Sequence, residues 1–179
     1  TEDGGTVAAV EALGRRALPL QMDVLNLAQA RPAFDTAVDH FGGIDILVNN
    51  VGGSIVKPID DFTEQDFDDV INLNVKSSFF LAQHAARHMA ARGKGGAIVN
   101  MASQAGFIAL PTEAIYCLAK AAVVHMTKSM AMEWGKHDIR VNAVAPTFIE
   151  TDGTAGALAD PAFKADVVER IAALHRIGK

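Results

Sequence analysis

The strongest constraint on the fold is a strict alternation between short apolar runs and longer amphipathic segments. Runs such as IDILVNN and AIVNMA are short, apolar and β-branched, which is typical of strands buried on both faces. We predict strands over 17–24, 44–50, 97–102 and 139–145. We predict helices over 6–13, 26–40, 63–91, 112–134 and 162–174, the last after a Gly/Ala/Thr-rich loop.

Strands that are joined by helices of this length must run parallel and be covered on both faces. The alternation therefore predicts an α/β fold with a doubly wound parallel sheet in three layers, α/β/α. Ligands of such sheets bind beyond the carboxyl ends of the strands. Polar and glycine residues collect at those ends here, as in NNVGG at 49–53.

Composition excludes several classes of protein. Half of the 179 residues are hydrophobic and 21% are charged, a balance that excludes an intrinsically disordered chain. The net charge of −5 without a basic run argues against a nucleic-acid partner. No apolar stretch approaches the roughly 18 residues of a membrane span. Cys117, the only cysteine, excludes an intramolecular disulfide and favours a reducing, cytoplasmic location.

The chemistry concentrates in Tyr116 and Lys120, which lie one turn apart on one face of a predicted helix. A free phenol has a pKa near ~10, and a nearby ammonium lowers it, which makes the tyrosine a usable acid and base. The hydroxyl of Ser103, at the end of the preceding strand, is placed to bind the same substrate oxygen. Taken alone, such a Tyr/Lys pair is more often a helix pair without a role.

The pair does not stand alone, since further motifs occur in a fixed order. They are NNVGG at 49–53, NLNV at 72–75, Ser103, YCLAK at 116–120 and VNAVAP at 141–146. This combination resembles the classical short-chain dehydrogenase/reductase family over nearly the whole chain. The resemblance implies a Rossmann-like sheet, an NAD or NADP cofactor, and reversible alcohol/carbonyl chemistry by hydride transfer. It does not decide between NAD and NADP.

The resemblance assigns a catalytic role to four residues. Tyr116 would be the general acid/base, and Lys120 would lower its pKa and hold the ribose next to the nicotinamide. Ser103 would position the substrate oxygen. Asn74 matches the helix asparagine whose backbone holds a water in the proton relay.

The same resemblance implies contacts to cofactor and substrate. Asp23 matches the acidic residue that contacts the adenine amino group. The expected cofactor-binding residues are Asp23, Val24, Asn50, Val51, Gly52, Tyr116, Lys120, Pro146, Ile149 and Thr151. The expected substrate-binding residues are Ser103, Gln104, Leu110 and Tyr116.

The chain also departs from the family pattern. Its glycine-rich phosphate-binding turn, TGxxxGxG, is not found, and the sequence stops before the last family strand. We therefore expect residues 1–179 to be one Rossmann-type dinucleotide-binding and catalytic domain without its first βαβ unit and last strand. Thr147 follows Pro146 where glycine is usual in the family.

Two functions are compatible with these residues. The first is an NAD(P)-dependent enzyme acting on a 3-oxoacyl thioester, a small ketone or a polyol. The alternative is a non-catalytic dinucleotide-binding or regulatory protein that keeps the fold. A protein of the second kind would be expected to lose the Tyr, Lys or Ser, and this chain retains all three.

Weaker signals concern metals and subunits. His84 and His88 have the i, i+4 spacing of a metal pair but no third ligand nearby, so no metal site is expected. By resemblance, the two long helices over 63–91 and 112–134 pack against a second subunit. We accordingly expect a homodimer or homotetramer. Gln104, Glu113 and Glu150 are candidate polar contacts in the substrate pocket.

Overall fold

A computed structural model describes residues 5–170. Its strands are β1 (Ile46–Asn49), β2 (Gly96–Met101) and β3 (Ile139–Val144). Its helices are α1 (Thr6–Ala12), α2 (Ala30–Phe41), α3 (Glu64–Ile71), α4 (Ser77–Arg92), α5 (Ala114–Trp134), α6 (Asp152–Leu158) and α7 (Pro161–Arg170). A π-helical turn, Asn72–Lys76, joins α3 to α4 without a break.

The strands form one parallel sheet in the order β1-β2-β3. Ile46 lies opposite Ala97 at one end of the first pair, and Asn49 lies opposite Asn100 at the other. Because the strands run parallel, all their carboxyl ends lie at one edge, where the loops after each strand meet. The predicted α/β class and parallel sheet are confirmed.

The core lies between one face of the sheet and helices α4 and α5. Met89 of α4, Met130 of α5 and Ile98 of β2 belong to one buried cluster, with further contributions from β3. Both helices lie on the same face of the sheet, since Ser78 of α4 and Thr127 of α5 accept hydrogen bonds from the neighbouring Asn49 and Asn100 side chains.

The opposite face of the sheet is open within residues 5–170. Ile46, Val48 and Val144 each expose half or more of their side-chain surface there. The apolar sequence of the strands predicts burial on both faces, whereas these described residues are covered on one. Strand composition records how apolar a segment is, but not which residues lie against it.

A buried ladder of polar side chains crosses the covered face. Asn49 Nδ2 donates to Asn100 Oδ1 at 2.9 Å and to the Ser78 carbonyl of α4 at 3.0 Å. Asn100 Nδ2 donates to Thr127 Oγ1 of α5 at 3.0 Å, and that hydroxyl donates to the Val123 carbonyl. The ladder links α4, β1, β2 and α5; its side-chain donors all have acceptors, whereas Asn49 Oδ1 is buried without a hydrogen-bond partner among the described residues.

The predicted strand over 17–24 is wrong. Residues 15–23 form no β-bridge, and a turn follows in which Asp23 Oδ1 accepts from the Leu25 N–H. A strand exists only when its backbone pairs with a neighbour, and within residues 5–170 no strand pairs with this segment. The adjoining helix begins as a 3-10 turn at Leu27–Gln29 before α2.

Other boundaries differ by smaller amounts. The predicted helix over 63–91 is present, with Thr63 and Asp66 forming a reciprocal capping box at its start, but the π turn interrupts it. The predicted loop before the last helix contains α6, which begins after Thr151, itself bonded to Thr154. The last helix begins at Pro161, and its predicted end at residues 171–174 lies outside the described residues.

Candidate active site

A cleft of about 520 Å³ lies at the carboxyl edge of the sheet. The loops after all the strands and the first turns of α5 contribute to its walls. Of the residues predicted to bind the cofactor, it is lined by Asn50, Gly52, Tyr116, Lys120, Pro146, Ile149 and Thr151. All the residues predicted to bind substrate line it as well: Ser103, Gln104, Leu110 and Tyr116.

The remaining predicted residues lie outside the walls of this cleft. Asp23 is exposed and its backbone N–H donates to Gln29 Oε1, so its contacts are local. Val24 lies in a small depression beside Lys76, and Val51 is exposed. Asn74 lies beneath the cleft and reaches it through Gly53. The cofactor contacts of Asp23, Val24 and Val51 stay predictions.

Lys120 is the deepest charged group in the cleft. Only 4% of its surface is exposed, and its Nζ donates to the Met101 carbonyl at the end of β2 at 2.9 Å. The same Nζ lies 5.4 Å from the centre of the Tyr116 ring. The predicted one-turn spacing on α5 thus brings ammonium and phenol together, while the ammonium also ties the helix to the sheet.

The pKa of Tyr116 moves in the direction opposite to that predicted from Lys120. Burial raises the pKa of the phenol, a hydrogen bond with the Ser103 side chain opposes that rise, and the Glu113 carboxyl adds to it. Burial also lowers the pKa of Lys120. Both groups have lost solvent, and desolvation disfavours the charged form of each. Tyr116 is therefore a protonated phenol at neutral pH, ready to donate.

The hydroxyls of Ser103 and Tyr116 converge in the cleft. Ser103 follows β2 in an extended conformation, and its Oγ accepts from the Ala105 N–H at 3.2 Å. The loop then packs closely against α5 at Gly106. A Cβ at this position would lie only 2.8 Å from the Lys120 carbonyl oxygen. Two hydroxyls converging in this way can hydrogen-bond one substrate oxygen and stabilise developing negative charge on it.

Asn74 holds the loop after β1 close to Lys120. It is almost fully buried in the π turn, and its Nδ2 donates to the carbonyls of Gly53 at 2.8 Å and Val70 at 2.9 Å. A Cβ at Gly52 would lie 2.6 Å from Asn74 Oδ1 and 3.1 Å from Lys120 Nζ. Only glycine allows the loop, Asn74 and Lys120 to pack this closely. The π turn itself carries no sequence signal beyond the motif NLNV, although such turns are frequent at functional sites.

Polar groups that sequence reasoning did not place in the catalytic set also line the cleft. The Glu113 carboxyl hydrogen-bonds with the Ser54 hydroxyl, and burial raises its pKa. Thr147 Oγ1 is buried and has no hydrogen-bond partner among the described residues. The only sequence signal for Thr147 was that it stands where the family usually has glycine, and no sequence signal indicated Ser54.

The histidines with metal-like spacing have another role. His88 Nε2 accepts a hydrogen bond from the Ile44 backbone N–H at 3.2 Å, at the entrance to β1. Within residues 5–170, no three side chains of His, Cys, Asp or Glu gather as they would around a metal ion. In that same stretch no helix is both long and apolar enough to cross a membrane.

Residues 2–162 match the family model of the short chain dehydrogenases. This chain belongs to that family. The family predicted from the motifs is thereby confirmed.

Relatives within the family give the same fold. The chain is 44% identical over 171 residues to a 2-dehydro-3-deoxy-D-gluconate 5-dehydrogenase of Escherichia coli, covering 94% of this chain and 66% of that protein. A short-chain type dehydrogenase/reductase from Mycobacterium marinum superposes with a TM-score of 0.87 at 36% identity, over 96% of this chain and 67% of that one. A gluconate 5-dehydrogenase from Burkholderia cenocepacia, in complex with NADP and tartrate, superposes with a TM-score of 0.84 at 36% identity. The match covers 91% of this chain and 63% of that one.

Proposed function

We propose that this chain is the dinucleotide-binding and catalytic domain of an NAD(P)-dependent oxidoreductase. It interconverts an alcohol and a ketone or aldehyde. The observation that carries the proposal is the Ser103–Tyr116 hydroxyl pair, with Lys120 behind it, at the carboxyl edge of a parallel sheet. The names of its relatives, which are dehydrogenases and include one solved with NADP, support it.

The cleft suits a dinucleotide next to the catalytic pair. Gly52 lines the cleft, and the Asn74 and Lys120 side chains lie where a Cβ of Gly52 would be, so the main chain of this loop borders the cleft without a side chain of its own. The residues that would hold the dinucleotide are Asn50, Gly52, Lys120, Pro146, Ile149 and Thr151. When bound, the nicotinamide supplies or accepts the hydride. NAD and NADP both remain candidates.

The chain's own residues then handle the substrate oxygen and its proton. In reduction, the neutral phenol of Tyr116 donates its proton to the substrate oxygen, while the Ser103 hydroxyl donates a second hydrogen bond to it. In oxidation, Tyr116 must first lose its proton, and burial raises the pKa for that loss. Lys120 restrains the phenol from the helix side, and Asn74 holds the loop that closes the cleft from below.

The alternative, a non-catalytic dinucleotide-binding or regulatory protein, is less well supported. Such a protein has no need to converge two hydroxyls on one point or to bury an amine beside a phenol. Both arrangements cost free energy of folding, because polar groups are removed from water. Such groups are retained where they are paired or take part in function. The substrate classes proposed are a 3-oxoacyl thioester, a small ketone or a polyol.

Assembly and location belong to the same proposal. Exposed apolar side chains on the outer faces of α3, α4 and α5 suit a homodimer or homotetramer: Phe67, Phe79, Leu118 and Met132. Light scattering during gel filtration measures this directly, and a monomer at micromolar concentration would reject it. A lone Cys117 fits a reducing compartment, so we propose a cytoplasmic location.

The first test is a fluorescence titration of the full-length protein with NADH and then with NADPH. Saturable binding of one coenzyme, followed by turnover of an alcohol or ketone with it, is the expected result. Binding without any turnover of a broad alcohol and ketone panel would favour the non-catalytic alternative. Binding of neither coenzyme would reject both functions.

A further inference from the structure

Glu113 lies in the cleft but has no part in the proton transfer described above. It directly precedes α5, three residues before Tyr116, and lines the same cleft. Its carboxyl is half-buried and hydrogen-bonds with the Ser54 hydroxyl on the loop after β1. Both Glu113 and Tyr116 line this cleft, so one substrate in it can meet both groups, and the Glu113 charge raises the pKa of the Tyr116 phenol.

The backbone around Glu113 is held from several directions. Thr112 has a φ of 64°, a left-handed conformation that is uncommon for a β-branched residue, and its carbonyl accepts from the Lys57 N–H at 2.9 Å. The Glu113 N–H donates to the Leu110 carbonyl, and the Glu113 carbonyl accepts from the Cys117 N–H. The carboxyl is therefore presented from a fixed backbone.

The charges in the cleft decide what this carboxyl can recognise. Among the described residues that line it, only Glu113 and Lys120 have charged side chains. Lys120 is nearly buried and already donates to the Met101 carbonyl. A substrate carboxylate beside Tyr116 would therefore face the negative Glu113 without a free cation to compensate. A substrate hydroxyl in that place would find a charged acceptor.

We propose that Glu113, supported by Ser54, is a specificity-determining residue of this cleft. It selects neutral substrates that carry a hydroxyl on the carbon next to the reacting carbon, such as vicinal diols and α-hydroxy ketones. It rejects substrates with a carboxylate in that position. This inference rests on the proposed oxidoreductase function and narrows its substrate class.

The test uses hydroxyacetone and pyruvate, which differ only in a hydroxymethyl or a carboxylate group beside the ketone. Steady-state kcat and KM are measured for the full-length protein with its preferred coenzyme. The wild type is expected to prefer hydroxyacetone, and Glu113→Gln is expected to reduce that preference in kcat/KM by about tenfold or more, mainly through KM. Glu113→Asp should retain part of it. Glu133→Gln, an exposed change near the other end of α5, is the matched control and should change nothing.

A pH series separates recognition from a merely structural role. As the pH falls through the raised pKa of Glu113, its carboxyl becomes neutral, so the wild-type preference against pyruvate should weaken. In Glu113→Gln the preference should be independent of pH over the same range. The other titratable groups that line the cleft are Tyr116, whose pKa is raised by burial, and Lys120, whose ammonium donates to the Met101 carbonyl.

Coenzyme affinity and melting temperature are measured for each variant to verify that it is correctly folded. Ser54→Ala, which removes the support without removing the charge, should shift the preference in the same direction by less. Wild-type discrimination that survives in Glu113→Gln, or a wild type that prefers pyruvate, would overturn the inference while the enzyme remains active. Absence of turnover with every alcohol and ketone would instead reject the underlying function.

Discussion

The ladder on the covered face of the sheet and the cleft at its carboxyl edge are two polar clusters that differ in what their polar groups do. In the ladder of Asn49, Asn100 and Thr127, donors are answered by acceptors inside the cluster. In the cleft, the hydroxyls of Ser103 and Tyr116 face open space. A cluster whose donors are paired within the protein stabilises the fold, whereas hydroxyls that line a cavity are available for a ligand.

The largest expected effect follows from removing the phenol oxygen in the cleft. Tyr116→Phe should lower kcat for ketone reduction by about 10²- to 10⁴-fold, because general acid catalysis contributes that much. Coenzyme affinity and melting temperature should stay near wild type. Steady-state kinetics beside a coenzyme titration checks both halves. Residual activity within threefold of wild type would contradict the role of Tyr116.

The second prediction breaks the ladder without touching the cleft. Asn100→Leu replaces the amide with a larger apolar side chain, which removes one of the two acceptors of Asn49 Nδ2 and the donor to Thr127. The free energy of unfolding should fall by about 1–3 kcal/mol, since buried polar groups lose their partners.

Urea denaturation measures the change in the free energy of unfolding of Asn100→Leu. Measuring kcat per folded molecule then shows whether activity changes as well. If the ladder and the cleft act separately, kcat should be unchanged. A tenfold loss of kcat with normal stability would show that the ladder and the cleft act as one cluster.

The third prediction concerns the close packing of the loop after β1 against Asn74 and Lys120. In Gly52→Ala, the new Cβ would lie 2.6 Å from Asn74 Oδ1, so the loop or Asn74 must move, at a cost of about 1–3 kcal/mol. Coenzyme affinity and kcat should fall together.

Gly53→Ala is the matched control, because its nearest contact is Leu73 Cδ2 at 3.4 Å. It should be nearly neutral in both measurements. Equal losses in the two variants would mean that general stiffening of the loop, rather than contact with Asn74 and Lys120, is responsible.

The smallest expected effect concerns pH. Alcohol oxidation needs the Tyr116 phenolate, and burial and Glu113 both raise the pKa of that phenol, so the oxidation rate should increase as the medium becomes more alkaline. Glu113→Gln removes one negative neighbour and should shift this profile to lower pH. Profiles of kcat/KM for wild type and variant check the sign. A shift to higher pH would contradict it.

Much of the site was predictable because it depends on short spacings. The positions of Tyr116 and Lys120 on one helix face follow from a four-residue step, and the structure places both in the cleft. Thr63 and Asp66 begin a helix for an equally local reason. The alternation of short apolar runs with longer amphipathic segments predicts the parallel sheet. Its strand order, β1-β2-β3, is the one expected when helices connect successive neighbouring strands.

The failures share a different cause. The segment 17–24 has the pattern of a strand, but pairing requires a neighbour, and no described residue supplies one. The direction of the Tyr116 pKa depends on burial, which no residue spacing records. The Glu113–Ser54 contact joins positions 59 residues apart in the sequence numbering.

The sequence by itself determined the local periodicities, the helix starts, the order of the motifs and hence the family. Tertiary structure alone decided which polar groups were satisfied and which faced a cavity. Asn49 meets Asn100 only after two strands pair, and Asn74 reaches Gly53 only because a π turn rotates it inward. Local backbone preferences act over a few residues, whereas desolvation and hydrogen-bond partnership are properties of the folded neighbourhood.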